Sequence, residues 1–159
     1  MSVDDKLSAL LGAWVGEERI AASPWTEAGT ASTTIEFTRE VGGAVLQRYR
    51  QRRDGRETLT GLGVLDVDEG QVRHFWWDSL GQRPAAPATG RHTDEGIVLE
   101  RSSPRGTNRT RIAIEGEELV YEVAFAAPGE RPELLASGRY RRAVATGATP
   151  GTSAKLPEA

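Results

Sequence analysis

The chain has 159 residues, with 20 Lys or Arg against 23 Asp or Glu and a formal net charge of −3. This near balance gives no support for a protein that binds nucleic acid or a membrane surface. The absence of cysteine excludes a disulfide scaffold, a thiolate zinc site, an iron–sulfur cluster and a cysteine nucleophile. The length fits one domain, which can bury a core large enough to fold without a disulfide or a metal.

The amino-terminal residues show no basic region followed by a long apolar stretch, so the sequence does not predict a secretory signal. No apolar run approaches the roughly 20 residues that a membrane-spanning helix needs. We therefore expect a cytoplasmic protein with neither a nucleic acid nor a membrane as its partner.

The first predicted element is a short helix at residues 4–11. Asp4 can cap its beginning, and Gly12 can end it. Leu7, Leu10 and Leu11 form one apolar stripe, which predicts that this helix packs against the rest of the domain.

After the helix, the hydrophobic period changes to two, which is typical of strands. Segments rich in Val, Ile, Thr and aromatic residues alternate with turn residues. Ten strands are predicted, at residues 13–22, 30–39, 43–52, 57–67, 71–78, 85–92, 96–102, 107–115, 118–127 and 133–143. The remaining segment, 144–159, is rich in small residues, Thr, Gly and Pro, and we expect it to be a flexible tail after a single domain at 1–143.

The turns favour an up-and-down antiparallel arrangement. Asp54-Gly55 and Glu69-Gly70 suit tight hairpins, because glycine accepts a positive φ there. Ten strands linked by hairpins can close into a barrel, which leaves no exposed edge. The alternative is a β-sandwich, although the longer crossovers that a sandwich needs are hard to find here. A barrel of more than eight strands has room for a small ligand.

Several motifs occur in a fixed order along the chain. They are Leu10-Leu11-Gly12-Ala13-Trp14-Val15-Gly16-Glu17, Ser23-Pro24-Trp25, Gly43 to Tyr49, Gly61-Leu62-Gly63-Val64 and Phe75-Trp76-Trp77-Asp78-Ser79-Leu80-Gly81. The first resembles the Gly-x-Trp-x-Gly motif that opens calycin barrels; lipocalins share its Gly-x-Trp part and nitrobindin-like proteins share the longer form. Over residues 7–142 the set resembles a bacterial family of calycin-like domains, similar to nitrobindin-like and lipocalin or fatty-acid-binding-protein-like domains.

The resemblance implies a structural role for Trp14. In lipocalins the matching Trp plugs one barrel end and stacks on an Arg of the last strand, so Arg139, Arg141 or Arg142 is its expected partner here. Nitrobindin-like proteins bind haem through a His near the carboxyl end. This chain has only His74 and His92, so we predict neither haem nor any other cofactor, and no metal site.

Strand alternation predicts which side chains line the cavity. Ligand pockets are mostly apolar with a few polar groups that fix orientation. The predicted ligand-binding residues fit this composition; they are Trp25, Gln47, Trp76, Asp78, Asn108, Tyr121 and Phe125. For Trp25 a plug in the core is an equal alternative, and Asp78 is more easily explained as a residue that organises its turn.

The predicted acid–base candidates are Glu18, Tyr49 and His74. If Trp14 points inward, Glu18 does as well, and a buried carboxylate needs a partner or a raised pKa. Structural roles are the main alternative for all three residues. Glu18 would form an ion pair, Tyr49 would be a core residue, and His74 would hydrogen-bond to a backbone carbonyl.

Three functions remain open from the sequence. The first is binding of a small, mainly apolar organic ligand in the barrel. The second is an enzyme that isomerises or cyclises a bound metabolite with acid–base assistance. The third is an interaction module, with a homodimer as the possible assembly.

Overall fold

The computed structural model describes residues 2–24 and 26–143 and contains one helix, a short 3-10 turn and ten strands within them. The helix α1 spans Val3–Leu10, and the 3-10 turn spans Val41–Gly43. The strands are β1 Gly12–Ile20, β2 Gly29–Arg39, β3 Val45–Arg53, β4 Arg56–Asp68, β5 Gln71–Asp78, β6 Ala88–Thr93, β7 Gly96–Ser103, β8 Gly106–Glu115, β9 Glu118–Ala126 and β10 Glu133–Arg142. The predicted tail, 144–159, lies outside the described residues.

The ten strands form a closed antiparallel barrel in which each strand pairs with its neighbours in sequence. Pairing of β1 with β10 closes the barrel, with Trp14 opposite Arg142 and Ile20 opposite Ala136. The predicted all-β, ten-stranded up-and-down barrel is therefore confirmed, and the sandwich alternative is wrong. Closure leaves no unpaired strand edge, which protects such a sheet from pairing with another chain.

Strand bounds agree with the sequence to within a few residues, and the largest difference is at β6. This strand was expected from residue 85 but begins at Ala88. Pro84 and Pro87 precede it, and proline has no N–H to donate to a strand ladder. The predicted hairpins at Asp54-Gly55 and Glu69-Gly70 are confirmed, because all four residues have positive φ.

The helix α1 begins one residue earlier than predicted. Its cap is Ser2, whose side chain accepts from the backbone of Asp5 while Asp5 accepts from the backbone of Ser2. The predicted cap, Asp4, is therefore wrong. Asp4 instead lies in the first turn and forms an ion pair with Arg39, 2.9 Å apart, which ties the helix to the end of β2.

This helix covers one end of the barrel. Leu7 and Leu10 are buried in the same core as Trp14, and the Trp14 indole donates to the Leu10 carbonyl at 2.8 Å. The guanidinium of Arg142 lies 4.3 Å from the centre of the Trp14 ring, which is a cation–π distance. Of the three expected partners, Arg142 is the one that stacks. The helix end of the barrel is thereby closed.

No helix within the described residues is long and apolar enough to cross a bilayer.

Candidate ligand-binding site

Inward-facing positions alternate with outward-facing ones along each strand. Trp14 and Glu18 both face the interior, and each is almost fully buried. On β5, whose orientation the sequence left uncertain, His74 and Trp76 face inward and Trp77 faces outward. The interior therefore mixes apolar side chains with a set of buried polar ones, which are Glu18, Thr33, Gln47, Gln51 and His74.

Glu18 is the acceptor at the centre of the first polar network. The hydroxyl groups of Thr33, Tyr49 and Tyr140 lie 3.0, 2.7 and 2.9 Å from its Oε2 atom, and each can donate to it. Gln51 in turn donates to the Tyr49 hydroxyl at 2.9 Å. Three hydroxyl donors around one carboxylate meet its need for hydrogen bonds without a cation.

The charge of Glu18 affects the tyrosines around it. Burial, and then the Glu18 carboxylate, raises the pKa of Tyr49 well above its usual range. The same two causes, in the same order, raise the pKa of Tyr140. Both hydroxyls therefore stay protonated and act as hydrogen-bond donors at neutral pH.

A second network joins β3, β5 and β9 across the interior. The Gln47 amide donates to the Tyr121 hydroxyl at 3.2 Å, and its Oε1 atom lies 2.9 Å from His74 Nε2. With Oε1 facing the ring, Nε2 carries the proton and donates. Burial, and then the charge of Arg101, lowers the pKa of His74 to about 4. Burial raises the pKa of Tyr121 to about 12.

The predicted catalytic residues therefore divide between two networks: Glu18 and Tyr49 are hydrogen-bonded to each other, whereas His74 lies with Gln47. A general base is most effective when its pKa lies near the working pH. The neutral His74 is a weak base at pH 7, and the raised pKa of Tyr49 makes it a weak acid. The acid–base role of these residues stays a prediction.

Two glycines of β4 make room for this arrangement. An added Cβ at Gly61 would collide with the Trp76 ring, and one at Gly63 would lie 2.6 Å from Gln47 Oε1 and 2.7 Å from His74 Nε2. The Trp76 ring also meets Tyr49 edge-on, with centroids 5.8 Å apart. The Gly-x-Gly spacing in β4 thus has a packing cause.

Asp78 organises the turn after β5, as the alternative explanation predicted. Its Oδ1 accepts from the backbone of Leu80 and Gln82, and its Oδ2 accepts from the Trp76 indole at 3.0 Å. Of the other residues predicted to bind a ligand, Asn108 and Phe125 are cross-strand partners and are both half-buried. Trp25 lies outside the described residues.

The two ends of the barrel differ in how well their inward side chains are covered. Near α1, inward residues such as Leu65, Val72 and Leu119 are fully buried. At the opposite end, Ile20 and Ala31 are buried, but four other inward apolar side chains are only half-buried, namely Leu59, Trp76, Val123 and Phe125. The end without the helix is therefore less completely covered than the helix end, and we call it the mouth of the barrel; the Glu18 and Gln47 networks lie beneath it.

A separate groove of about 710 Å³ lies on the outer face of β1 to β5. It is lined by the exposed apolar side chains of Val15, Leu62 and Trp77, with Glu36 and Arg48 beside them. Outward positions of a sheet normally carry polar residues, so this face is unusual for an isolated barrel.

Within the described ranges, no group of three or more His, Asp or Glu side chains is placed to hold a metal ion. Sequence reasoning missed several interior polar residues, which are Thr33, Gln51, Arg53, Arg101 and Tyr140. The available signal was strand alternation: Gln51 and Arg53 continue the inward face of Gln47 and Tyr49.

The fold and the site define a closed ten-stranded barrel whose apolar interior contains two buried polar networks and whose end away from α1 is less completely covered. No protein-family model matches the chain, and no curated protein matches it. Among solved structures, the chain is similar to Rv2717c from M. tuberculosis, with 19% sequence identity and a TM-score of 0.71 over 91% of this chain and 99% of that one. At this identity the likeness shows the barrel fold alone, and membership of a calycin or nitrobindin-like family stays a prediction.

Proposed function

We propose that this protein binds a small, mainly apolar organic molecule in the half of its barrel away from α1. The observation that carries the proposal is the incomplete burial of inward apolar residues at the mouth, such as Trp76 and Val123. A ligand that covers these side chains gains about 25 cal/mol for each Å² of apolar surface removed from water. The polar networks beneath supply groups that can orient it.

The test uses N-phenyl-1-naphthylamine, a neutral apolar dye whose fluorescence rises on binding. We expect saturable binding of the dye to the wild-type protein. Val123→Phe adds bulk inside the mouth and should weaken binding at least about tenfold, because filling the space displaces the dye. Val15→Phe makes the same change on the outer face and should leave binding unchanged.

Two results would contradict the proposal. One is the absence of dye binding to the wild-type protein. The other is equal binding to the wild-type protein and Val123→Phe, which would place the dye outside the barrel mouth. Circular dichroism of each variant checks that the barrel has folded.

The outer groove favours a second candidate function, self-association. We propose that the face lined by Leu62 and Trp77 packs against a second copy of this chain. Glu36 and Arg48 are cross-strand partners, yet neither forms an ion pair within the described residues. In a dimer with a two-fold axis, any contact between two different residues occurs twice, once in each direction. Glu36 of each copy can therefore pair with Arg48 of the other copy.

Sedimentation velocity at increasing protein concentration tests this assembly. We expect a dimer for the wild-type protein and a monomer for Leu62→Glu, because a charge then enters the apolar part of the face. Leu134→Glu changes another exposed leucine outside the groove and should remain dimeric. A monomeric wild-type protein, or a dimer that survives Leu62→Glu, would refute the assignment.

A further inference from the structure

Arg53 carries an unsatisfied pair of hydrogen-bond donors. It is the last residue of β3 and shares the inward face of Tyr49 and Gln51, four and two residues before it. Its Nε and Nη2 atoms are closed off from solvent and have no hydrogen-bond partner among the residues that the structure describes. Leaving charged donors buried without an acceptor costs more than leaving neutral ones, so such groups need an explanation.

The geometry of these two atoms is specific. Nε–H and one Nη2–H lie on the same edge of the guanidinium plane and form a fork that matches two oxygens of an oxyanion. The third nitrogen, Nη1, is already engaged, because it donates to the Glu27 carbonyl at 2.9 Å. That contact fixes the plane of the guanidinium and leaves the Nε–Nη2 edge free.

No carboxylate of the described chain lies within ion-pair distance of Arg53. Glu57, on the adjoining hairpin strand, pairs with Arg50 on the opposite face. The interior carboxylate, Glu18, is surrounded by three hydroxyl groups, and Asp78 accepts from its own turn. These three acids are therefore engaged elsewhere, whereas the Arg53 fork has no acceptor among the described residues.

A second positive charge faces the same interior. Arg101 shares the inward face of Leu99 on β7, and it forms no ion pair within the described residues. Its charge reaches His74, where it helps to lower the pKa of the imidazole. Arg53 and Arg101 thus place two positive charges at this end of the barrel, whereas the Glu18 carboxylate is already surrounded by hydroxyl donors.

We propose that the Nε–Nη2 fork of Arg53 binds an oxyanion group, such as a carboxylate or sulfonate, at one end of the apolar ligand. This inference rests on the proposed function, because the apolar body of the same ligand lies in the barrel mouth. Since both nitrogens are closed off from bulk water, the anion reaches them only after the groups that cover them have shifted.

The experiment compares two dyes that differ in one group. 1-Anilinonaphthalene-8-sulfonate has the aromatic body of N-phenyl-1-naphthylamine and adds a sulfonate. We expect the wild-type protein to bind the sulfonate dye at least about tenfold more tightly than the neutral one, since charged hydrogen bonds are the stronger ones. Arg53→Gln should remove this preference and leave binding of the neutral dye unchanged.

Arg52→Gln is the matched control. Arg52 is the exposed neighbour of Arg53, so both variants lose one positive charge at the same barrel end. We expect Arg52→Gln to keep the preference for the sulfonate dye. Arg53→Lys keeps the charge but lacks the fork, so it should lose most of the preference for the sulfonate dye. This variant replaces Arg53→Gln as the test if Arg53→Gln does not fold.

The outcomes separate the two proposals. If the wild-type protein binds the neutral dye but shows no preference for the sulfonate dye, the oxyanion site alone is overturned. The same holds for an equal loss in Arg52→Gln and Arg53→Gln, or full retention in Arg53→Lys, because net charge would then explain the result. Failure of the wild-type protein to bind either dye overturns both proposals.

Discussion

Lowering the pH from 7 to 5 should destabilise this protein chiefly through His74. The imidazole is 5% exposed and donates to the Gln47 amide oxygen. Burial, helped by the charge of Arg101, lowers the pKa of His74 from 6.5 to about 4 in the folded protein. In the unfolded chain the same group keeps a pKa of about 6.5.

The sign of the effect follows from which state takes up the proton first. Because the folded-state pKa is the lower one, the unfolded chain binds a proton as the pH falls below about 6.5. The stabilisation is fully present above that pH and is lost as the pH falls toward 4. One-site linkage with these two pKa values gives a loss of about 2 kcal/mol in the free energy of unfolding between pH 7 and 5.

Urea unfolding followed by circular dichroism at pH 7, 6 and 5 measures this loss. We expect wild-type protein to lose about 2 kcal/mol across the range, a loss that His74→Gln should largely remove. His92 is the other histidine, and burial lowers its pKa as well, but it is far less buried. His92→Gln should therefore keep most of the wild-type pH dependence.

Most exposed carboxylates have pKa values near 4, so the window from pH 7 to 5 isolates the histidines. The reasoning is refuted if His74→Gln shows the same pH dependence as the wild-type protein. It is also refuted if the dependence disappears in His92→Gln, because the His92 imidazole would then be responsible.

Two further substitutions test the interior packing by urea or thermal unfolding. Tyr140→Phe removes one hydroxyl donor from the Glu18 carboxylate and should lower the free energy of unfolding by about 2 kcal/mol. Tyr121→Phe should cost less, because the Tyr121 hydroxyl only accepts from the neutral Gln47 amide. An equal cost for the two variants would contradict a charge-assisted bond to Glu18. Gly61→Ala places a methyl group against the Trp76 ring. It should lower the free energy of unfolding by about 1–3 kcal/mol and shift the tryptophan emission. Unchanged stability would show that the ring is free to move.

Much of the fold was predictable because it depends on local sequence. Hairpins such as Asp54-Gly55 require positive φ, and that requirement is visible in the residue types themselves. The strands follow from a period of two, which persists through most of the chain. The exceptions have local causes that the pattern hides: Pro87 delays β6, and Ser2 rather than Asp4 caps the helix.

The site was predictable in its orientation but not in its partners. The inward position of Glu18 follows from its spacing to Trp14 along one strand. Its bond to Tyr140 joins residues 122 positions apart, and the approach depends on barrel closure between β1 and β10. Alternation along β3 places Arg53 inside, but only the structure shows that its Nε–Nη2 edge lacks an acceptor in the described part of the chain.

The polar residues of the interior set this barrel apart from one stabilised by apolar packing alone. Near α1 the interior is filled by apolar side chains such as Leu65 and Leu119, which stabilise the fold without hydrogen-bond requirements. A buried carboxylate such as Glu18 brings a desolvation cost that its hydroxyl partners only offset, and an apolar residue of similar size would avoid that cost. The polar groups are concentrated in the half of the barrel away from α1, beneath the less completely covered end to which we assign the ligand. Their position, rather than their contribution to stability, is therefore the stronger physical argument that the mouth binds one.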